Sequence, residues 1–263
     1  MSLSKERTKR ITGSRIGAVL GHNPYLSRIS VMREMLLELA GKKTETMTRD
    51  TLRGNALEPQ GIAYAAAHYG AVAKGRFAIH KRFDFLGATP DAIGDGFVVE
   101  VKAPRDMYFS IPQHYIDQMQ LEMAVFESDF CVFVQVVGDA CDMCKCERDI
   151  AFIDKNMDSL QSFMHELEYA QKHEQDFILQ SYALELSELR AKQKALAQKE
   201  GEVKEAILSR LEGKSFASEF LNVSQKSGAT RIDYKRFLAD KGLEIPQEYI
   251  TKGEAIWQIL PKK

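Results

Sequence analysis

Apolar residues recur at helical spacing through the amino-terminal part of the chain. Apolar positions at that spacing follow Ser14 and stop at Gly21, which predicts a short first helix with Ser14 just before it. The same pattern predicts a second helix over residues 31–39 and a third over residues 57–68, each followed by a glycine. We therefore expect three helices before the first strand.

From residue 71 the pattern becomes that of β-strands, with short apolar blocks separated by Gly, Asp and Pro. One helix, predicted over residues 112–126, interrupts this series. A turn at Gly138 and Asp139 predicts a hairpin between the last two strands. The strands are predicted over residues 72–79, 83–88, 96–102, 129–137 and 143–150. Strands enclosed by helices are typical of an α/β/α sandwich, and this is the fold class that we predict.

The carboxy-terminal part is predicted to be helical and then to form a small module. Helical spacing continues after residue 151, and Leu189, Leu196 and Val203 recur every seven residues within a charged stretch. This repeat indicates one seam of a coiled or hairpin-packed helix. We therefore predict three parts, with a sheet-containing domain over residues 1–170, a long helical segment over 171–212 and a small module over 213–263.

The chain carries a formal net charge of −1, but basic residues are concentrated near its amino terminus. Residues 1–33 hold seven lysines and arginines and a single acidic residue, Glu6. Such a basic arm is suited to contact phosphate, although a solvated, flexible arm has the same composition. No stretch approaches the roughly 20 apolar residues of a membrane span, and the polar amino terminus lacks the apolar segment of a secretory signal. We expect a cytoplasmic location without membrane contact.

Four cysteines, Cys131, Cys141, Cys144 and Cys146, are expected to be reduced in a cytoplasmic chain. The spacing of the last three matches no standard set of zinc or iron–sulfur ligands. Cys144 and Cys146 stand two residues apart, as residues on one face of a strand do. Thiols packed as small apolar groups are therefore the better interpretation, and no disulfide framework is predicted.

The candidate chemistry lies in the turn and strand that contain Asp91, Glu100 and Lys102. In an alternating strand the side chains of Glu100 and Lys102 leave one face, whereas those of Val99 and Val101 leave the other. Burying a carboxylate and an ammonium on an apolar strand is costly unless the charges meet each other, a metal ion or a substrate. Asp91, at the preceding turn, supplies a second carboxylate to the same point.

Two converging carboxylates make an oxygen-rich site suited to Mg²⁺ or Mn²⁺. A bound ion would polarise a phosphate and lower the pKa of a coordinated water, and Lys102 would orient that nucleophile. The pattern therefore predicts phosphodiester hydrolysis. The alternative is a surface salt bridge between Glu100 and Lys102 on a solvated strand face.

Pro90-Asp91 followed by Glu100-x-Lys102 resembles the signature of PD-(D/E)XK nucleases. Three further motifs, in the same order, are similar to those of the YqaJ-like viral recombinase family, the family of lambda exonuclease. These motifs are Ile11-Thr-Gly-Ser14-Arg-Ile-Gly, Gly54-Asn-Ala-Leu-Glu58-Pro and Asp117-Gln118-Met-Gln120. The resemblance covers about residues 5–170 and implies a restriction-endonuclease-like α/β/α fold.

The resemblance also implies roles for individual residues. Those implied to bind the metal ion are Asp91, Glu100, Glu58 and, through its carbonyl oxygen, Val101. Lys102 would be the catalytic lysine, and Gln120 would border the site. Arg7 and Ser14 would bind a terminal 5′ phosphate, with Lys9 or Arg10 as substitutes for Arg7, and Gln118 would contact DNA.

Each of these assignments has a structural alternative. Glu58 would also favour an early helical turn through the helix dipole, and Ser14 would serve as a helix N-cap. Gln118 and Gln120 would also suit the solvent-facing side of an amphipathic helix, since residues two apart do not share a helical face.

The family resemblance implies a Mg²⁺-dependent exonuclease, with Mn²⁺ as a substitute, that digests double-stranded DNA ends from 5′ to 3′. The remaining 3′ single strands would serve a single-strand annealing protein in phage-type recombination. The resemblance further implies a homo-oligomer, a ring-shaped trimer, acting in a bacterial host cell. Two alternatives stay open, which are an endonuclease on the same fold and a catalytically idle scaffold that binds DNA ends.

Overall fold

The computed structural model describes residues 5–42, 48–219, 221–224 and 233–246. The chain divides into two compact units, Met1–Ser181 and Tyr182–Lys263. The predicted three-part division at residues 170 and 212 stays a prediction, and part of the predicted module over 213–263 lies outside the described residues. No helix of the described ranges is long and apolar enough to cross a membrane.

The helices and strands follow one another along the described chain as two interleaved series. The helices are α1 Lys5–Thr8, α2 Gly13–Val19, α3 Arg28–Leu39, α4 Arg49–Tyr69, α5 Gln113–Phe126, α6 Phe152–Lys155, α7 Met157–Lys172, α8 Glu174–Leu211 and α9 Tyr234–Lys241. The strands are β1 Ile11–Thr12, β2 Ala73–Lys74, β3 Ala78–Ile79, β4 Leu86–Ala88, β5 Ala92–Ile93, β6 Phe97–Lys102, β7 Phe130–Val137, β8 Ala140–Glu147, β9 Phe216–Ala217 and β10 Asn222–Val223.

A central sheet of five described strands, in the order β2-β5-β6-β7-β8, organises the first unit. Strands β6 and β7 are parallel, in a register that runs from Phe97 opposite Phe130 to Lys102 opposite Gln135. Strand β8 returns antiparallel to β7 and completes the predicted hairpin. Helix α5 connects the two parallel strands, because parallel neighbours need a long crossover.

Helices cover both faces of this sheet. Helix α4 packs Ile62 and Ala65 against Val99 and its neighbours on one face. Helix α5 packs Met119 and Met123 on the other face. The predicted α/β/α sandwich is confirmed, and Val99 and Glu100 lie on opposite faces as the alternation predicts.

Helix α4 lies unusually close to the sheet at Gly61. A Cβ atom at this position would stand 2.5 Å from Cγ1 of Val101 and 3.2 Å from Cγ2 of Val136. Glycine is therefore required by close packing at Gly61. This contact sets the height of α4 above the end of β6.

A second core lies on the outer side of α5. There α2, α3 and α7 pack together with the small sheet β1-β4-β3 through residues that include Ile16, Met35, Leu86 and Phe163. Arginines of the basic amino-terminal segment take part in this packing, and one of them is Arg15, whose Nη2 lies 2.6 Å from Glu38 Oε2. The interpretation of a flexible basic arm is therefore wrong for residues such as Arg15.

Two of the predicted strands are shorter than the pattern implied. The predicted strand over residues 72–79 is divided into β2 and β3, which belong to different sheets. The division occurs at Gly75, where a Cβ atom would stand 1.6 Å from the Pro90 carbonyl oxygen. The predicted strand over 83–88 begins only at Leu86, because the Leu86 N–H donates to the Phe83 carbonyl in a turn, 3.1 Å.

The structure also moves some helix boundaries. Helix α4 begins eight residues before the predicted start at residue 57, because the Thr48 side chain accepts a hydrogen bond from the Thr51 N–H, 3.1 Å, and caps it. Leu189, Leu196 and Val203 lie on α8 and are exposed, so the predicted seam stays a prediction. The four cysteines are free, as predicted, but Cys144 is exposed instead of packed.

Candidate active site

Main-chain hydrogen bonds hold Asp91 beside the end of β6. The Asp91 N–H donates to the Val99 carbonyl at 3.0 Å, and the Val101 N–H donates to Asp91 Oδ2 at 2.7 Å. These two hydrogen bonds fix the Asp91 carboxylate beside the carboxyl-terminal end of β6. This geometry places Asp91 next to Val101 and Lys102, as the sequence predicted.

Glu100 and Lys102 leave the α5 face of β6 and meet there. Glu100 is only 2% exposed, and its Oε1 accepts hydrogen bonds from Lys102 Nζ and, at 2.6 Å, from Gln118 Nε2. The Lys102 ammonium also lies 5.0 Å from the ring centroid of Tyr115. The alternative of a surface salt bridge is therefore wrong, because the carboxylate is buried.

A further carboxylate, Glu122, stands behind this pair. Glu122 is fully buried, and its Oε1 accepts a second hydrogen bond from Gln118 Nε2, 2.9 Å. Within the described ranges, no donor reaches Oε2 of Glu100 or Oε2 of Glu122. A buried carboxylate oxygen without a donor is costly, so each of these two oxygens favours a proton or a cation beside it.

The pKa values of these groups are shifted by their burial and by their closeness to one another. Burial, and next the nearby Glu100 carboxylate, raise the pKa of Asp91 from 3.8 to about 8, against the effect of the Val101 N–H. Burial acts to lower the pKa of Lys102, but the Glu100 carboxylate outweighs it and raises that pKa above its ordinary value. Burial and Glu100 also raise the pKa of Glu122 well above its ordinary range. Lys102 is therefore a stable cation, whereas Asp91 needs a further positive charge to ionise near neutrality.

The cluster opens into a cleft with a volume of about 1060 Å³. Asp91, Val101 and Lys102 line the cleft from the sheet, and Glu58 lines it from α4. Pro59 follows Glu58 inside that helix and, having no N–H, cannot donate to the carbonyl four residues earlier. The structure thus places around one cleft four of the residues that the sequence predicted for the site, which are Glu58, Asp91, Val101 and Lys102.

The residues of this cleft fit a divalent ion. Hard oxygen donors, the unpartnered Oε2 of Glu100 and the raised pKa of Asp91 all favour a small cation beside them. Among the described residues, no group of three or more His, Cys, Asp or Glu side chains is placed to hold a metal ion. An ion held by Asp91 and Glu100 would therefore keep several waters, as Mg²⁺ does.

The structure corrects the assignment of the glutamines. Gln118 borders Glu100, whereas Gln120 points to the other side of α5, because residues two apart lie about 200° apart around a helix. Gln120 Nε2 donates to the Glu147 carbonyl and its Oε1 accepts from the Asp149 N–H, each at 2.8 Å. Both glutamines are buried, so the solvent-facing alternative is wrong, and Gln120 serves to anchor the chain after β8.

The predicted phosphate-binding residues stand on the amino-terminal elements. Ser14 is the second residue of α2, not its N-cap, which is Thr12; Ser14 is exposed, 3.3 Å from the Thr12 hydroxyl. Arg10 donates from Nε to the Asp84 carbonyl at 2.6 Å, so its guanidinium is engaged by the main chain. Arg7 lies on α1. Among described residues, none of these three lines the cleft, and their phosphate-binding role stays a prediction.

Two contacts near the site were not predicted from the sequence. Glu122 follows Gln118 by four residues, and this helical spacing was the available signal for their contact. His22 Nδ1 lies 2.8 Å from Oδ2 of the fully buried Asp117. No sequence signal links those two residues, because the turn after α2 and helix α5 meet only in the folded chain.

Comparison with known proteins agrees with this geometry. Residues 4–129 match the model of the YqaJ-like viral recombinase domain. This part of the chain, a little under half of it, is therefore similar to that family. The matched residues include α1 to α5 and β1 to β6, and with them Asp91, Glu100, Lys102 and Glu122.

Solved exonuclease structures are similar in fold to this part of the chain and to elements after it. The alkaline exonuclease of Laribacter hongkongensis is 26% identical over 68% of this chain and 96% of its own, with a TM-score of 0.55. Its complex with dAMP gives 26% identity, 69% and 96% coverage and a TM-score of 0.54. A phage-related exonuclease of Haemophilus somnus is similar in fold, at 17% identity, 62% and 96% coverage and a TM-score of 0.51. A comparison with curated proteins finds no match.

Proposed function

We propose that this chain is a metal-dependent deoxyribonuclease that degrades double-stranded DNA from its ends in the 5′ to 3′ direction. The chain is a nuclease of the YqaJ and alkaline-exonuclease type. The observation that carries the finer proposal is a buried ion pair of Glu100 with Lys102, next to an open cleft that Asp91 and Lys102 line, with Oε2 of Glu100 unpartnered. An idle scaffold has no need for such a costly charge cluster.

Each residue of the cluster has a part in the proposed hydrolysis. When bound, Mg²⁺ or Mn²⁺ would polarise the phosphate and lower the pKa of a coordinated water. Asp91 and Glu100, with the Val101 carbonyl oxygen, would hold the ion, and Glu58, which lines the cleft, would complete its acidic wall. Lys102 stays protonated beside Glu100 and balances the charge that develops on the phosphate oxygens. Gln118 fixes the Glu100 carboxylate through its amide.

The finer parts of the proposal come from the family resemblance. Arg7 and Ser14, with Lys9 or Arg10 as substitutes, are proposed to bind the terminal 5′ phosphate. A DNA contact by Gln118, which the resemblance implied, is not proposed, because this side chain is buried against Glu100 and Glu122. The 3′ single strand that remains is proposed to be passed to a single-strand annealing protein. We also propose a homo-oligomer, a ring-shaped trimer, acting in the cytoplasm of a bacterial host.

End-labelled duplexes test activity and polarity together. Purified protein with Mg²⁺ should shorten a linear duplex, release label from the 5′ end first and act faster on a 5′-phosphorylated end than on a 5′-hydroxyl end. Covalently closed plasmid is the matched control and should stay intact. Cleavage of the closed plasmid would favour an endonuclease, and binding of ends without turnover in Mg²⁺ or Mn²⁺ would favour a scaffold.

A further inference from the structure

Two aromatic side chains in the wall of the cleft expose almost their whole rings. Tyr25, in the turn between α2 and α3, is 85% exposed, and Phe109, between β6 and α5, is fully exposed. Leaving a phenylalanine in water forgoes roughly 2 kcal/mol of burial. Two such rings in one cleft call for a binding partner.

Both rings stand on anchored segments. The loop after β6 begins at Ala103, whose carbonyl accepts a hydrogen bond from Arg53 Nη2 at 2.9 Å. Further along this loop, the Tyr108 N–H donates to Gln135 Oε1 at 2.7 Å. Phe109 follows directly. The Asn23 side chain accepts from the Tyr25 N–H at 2.8 Å and holds the other turn. The exposure is therefore a property of fixed loops.

The other tyrosines of the cleft are already engaged. The ring of Tyr115 lies under the Lys102 ammonium, and the ring centroids of Tyr108 and Tyr115 are 5.9 Å apart. Tyr25 makes one edge contact, with the His114 ring at 6.2 Å. Tyr25 and Phe109 are thus distinct from the tyrosines that support the catalytic lysine.

The cleft suits an unpaired nucleic-acid end. Lys102, Arg53 and Arg105 line it, each beside a carboxylate, Glu100 for Lys102 and Asp50 for the two arginines, while the two rings offer flat apolar faces. Its volume of about 1060 Å³ lies at the upper end of the range for ligand pockets, about 300 to 1000 Å³. Stacking accepts any base, which suits an enzyme that degrades DNA without regard to sequence.

We propose that Tyr25 and Phe109 form a stacking platform for unpaired bases of the DNA end that enters the cleft. This inference rests on the proposed function and extends it to the bases next to the scissile phosphate. Opening a duplex end removes base stacking, and an aromatic ring restores about 1 to 3 kcal/mol per base. The platform lowers the cost of opening the end and holds the strand in the cleft.

Binding and fluorescence test the platform directly. A duplex with a short single-stranded 5′ end that carries 2-aminopurine is titrated with the protein in EDTA, so that no cleavage occurs. Stacking on a ring should quench the fluorescence on binding. Phe109→Ala should abolish most of this quenching and raise the Kd by about 5- to 150-fold, the equivalent of 1 to 3 kcal/mol.

Three further variants separate stacking from other effects. Phe109→Trp should keep the quenching and the affinity, whereas Phe109→Leu, apolar but not aromatic, should behave like Phe109→Ala. Tyr169→Ala removes another exposed tyrosine, on α7 and not among the residues that line the cleft, and should change nothing. With Mg²⁺, Phe109→Ala should raise KM for DNA ends more than it lowers kcat.

The outcomes distinguish a failure of this inference from a failure of the proposed function. If wild-type protein neither binds nor degrades DNA ends, the proposed function fails, and the platform with it. If wild-type protein is active while Phe109→Ala and Tyr25→Ala bind and quench as wild type does, the platform alone is wrong. Equal losses in Phe109→Trp and Phe109→Ala would likewise exclude stacking.

Discussion

Replacing Asp91 with Asn should stabilise the metal-free protein while removing its activity. Burial and the Glu100 carboxylate raise the pKa of Asp91 to about 8, so ionisation of this side chain opposes folding. The amide oxygen of Asn can still accept the hydrogen bond from the Val101 N–H, which is 2.7 Å long in the wild type. The substitution therefore removes the charge and keeps the contact.

The size and pH range of this effect follow from proton linkage. The folded protein holds the Asp91 proton more tightly than the unfolded chain, whose value is 3.8. The contribution of protonated Asp91 to the free energy of unfolding is therefore fully present below about pH 4. It is lost as the pH rises towards 8, and above pH 8 the free energy of unfolding no longer changes through this group. The full shift is worth at most about 6 kcal/mol, and relaxation around the charge reduces this to about 2 to 3 kcal/mol.

Thermal unfolding in EDTA measures this difference. At pH 9 the Tm of Asp91→Asn should exceed that of wild type by roughly 5 to 10 °C, and at pH 4 the two should melt together. Adding Mn²⁺ should stabilise wild type and leave the variant unchanged. A Tm of the variant below that of wild type at pH 9 would refute the reasoning. A Tm difference between the two proteins that is the same at every pH would refute it as well.

Three further substitutions test the site and its support. Lys102→Met should lower kcat by at least about 100-fold with little change in the Kd for DNA ends, measured by gel shift; full activity would exclude its proposed role. Gln118→Ala should weaken Mn²⁺ binding about 10-fold by calorimetry, whereas Gln120→Ala should lower only the Tm; equal effects would contradict the geometry. Gly61→Ala should cost about 1 to 3 kcal/mol in urea unfolding, since its Cβ would meet Val101, and a neutral result would contradict that contact.

The elements with strong periodicity were predictable from the sequence, and so was the pairing of Glu100 with Lys102. Strand β6 alternates between two apolar faces, so its buried charges stood out before any fold was known. The α/β/α class followed from the order of helices and strands. These predictions depend on local patterns, which one sequence displays.

Predictions failed where distant segments decide the local structure. The division of β2 from β3 depends on the Pro90 carbonyl that approaches Gly75, and strand β5 is only two residues long. The exchange of Gln118 for Gln120 depends on which face of α5 meets β6. The His22 and Asp117 contact joins segments ninety-five residues apart. No periodicity within one segment carries such information.

Calorimetric titration with Mn²⁺ tests most directly whether Asp91 and Glu100 share a divalent ion beside Lys102. Wild-type protein is titrated next to Glu100→Gln, which keeps the size of the side chain and loses its charge, with melting curves to establish that both are folded. We expect saturable binding by wild type that rises in affinity as pH approaches 8, and a loss of at least 10-fold in the variant. Equal affinity in the two proteins, or no binding by wild type, would contradict the account.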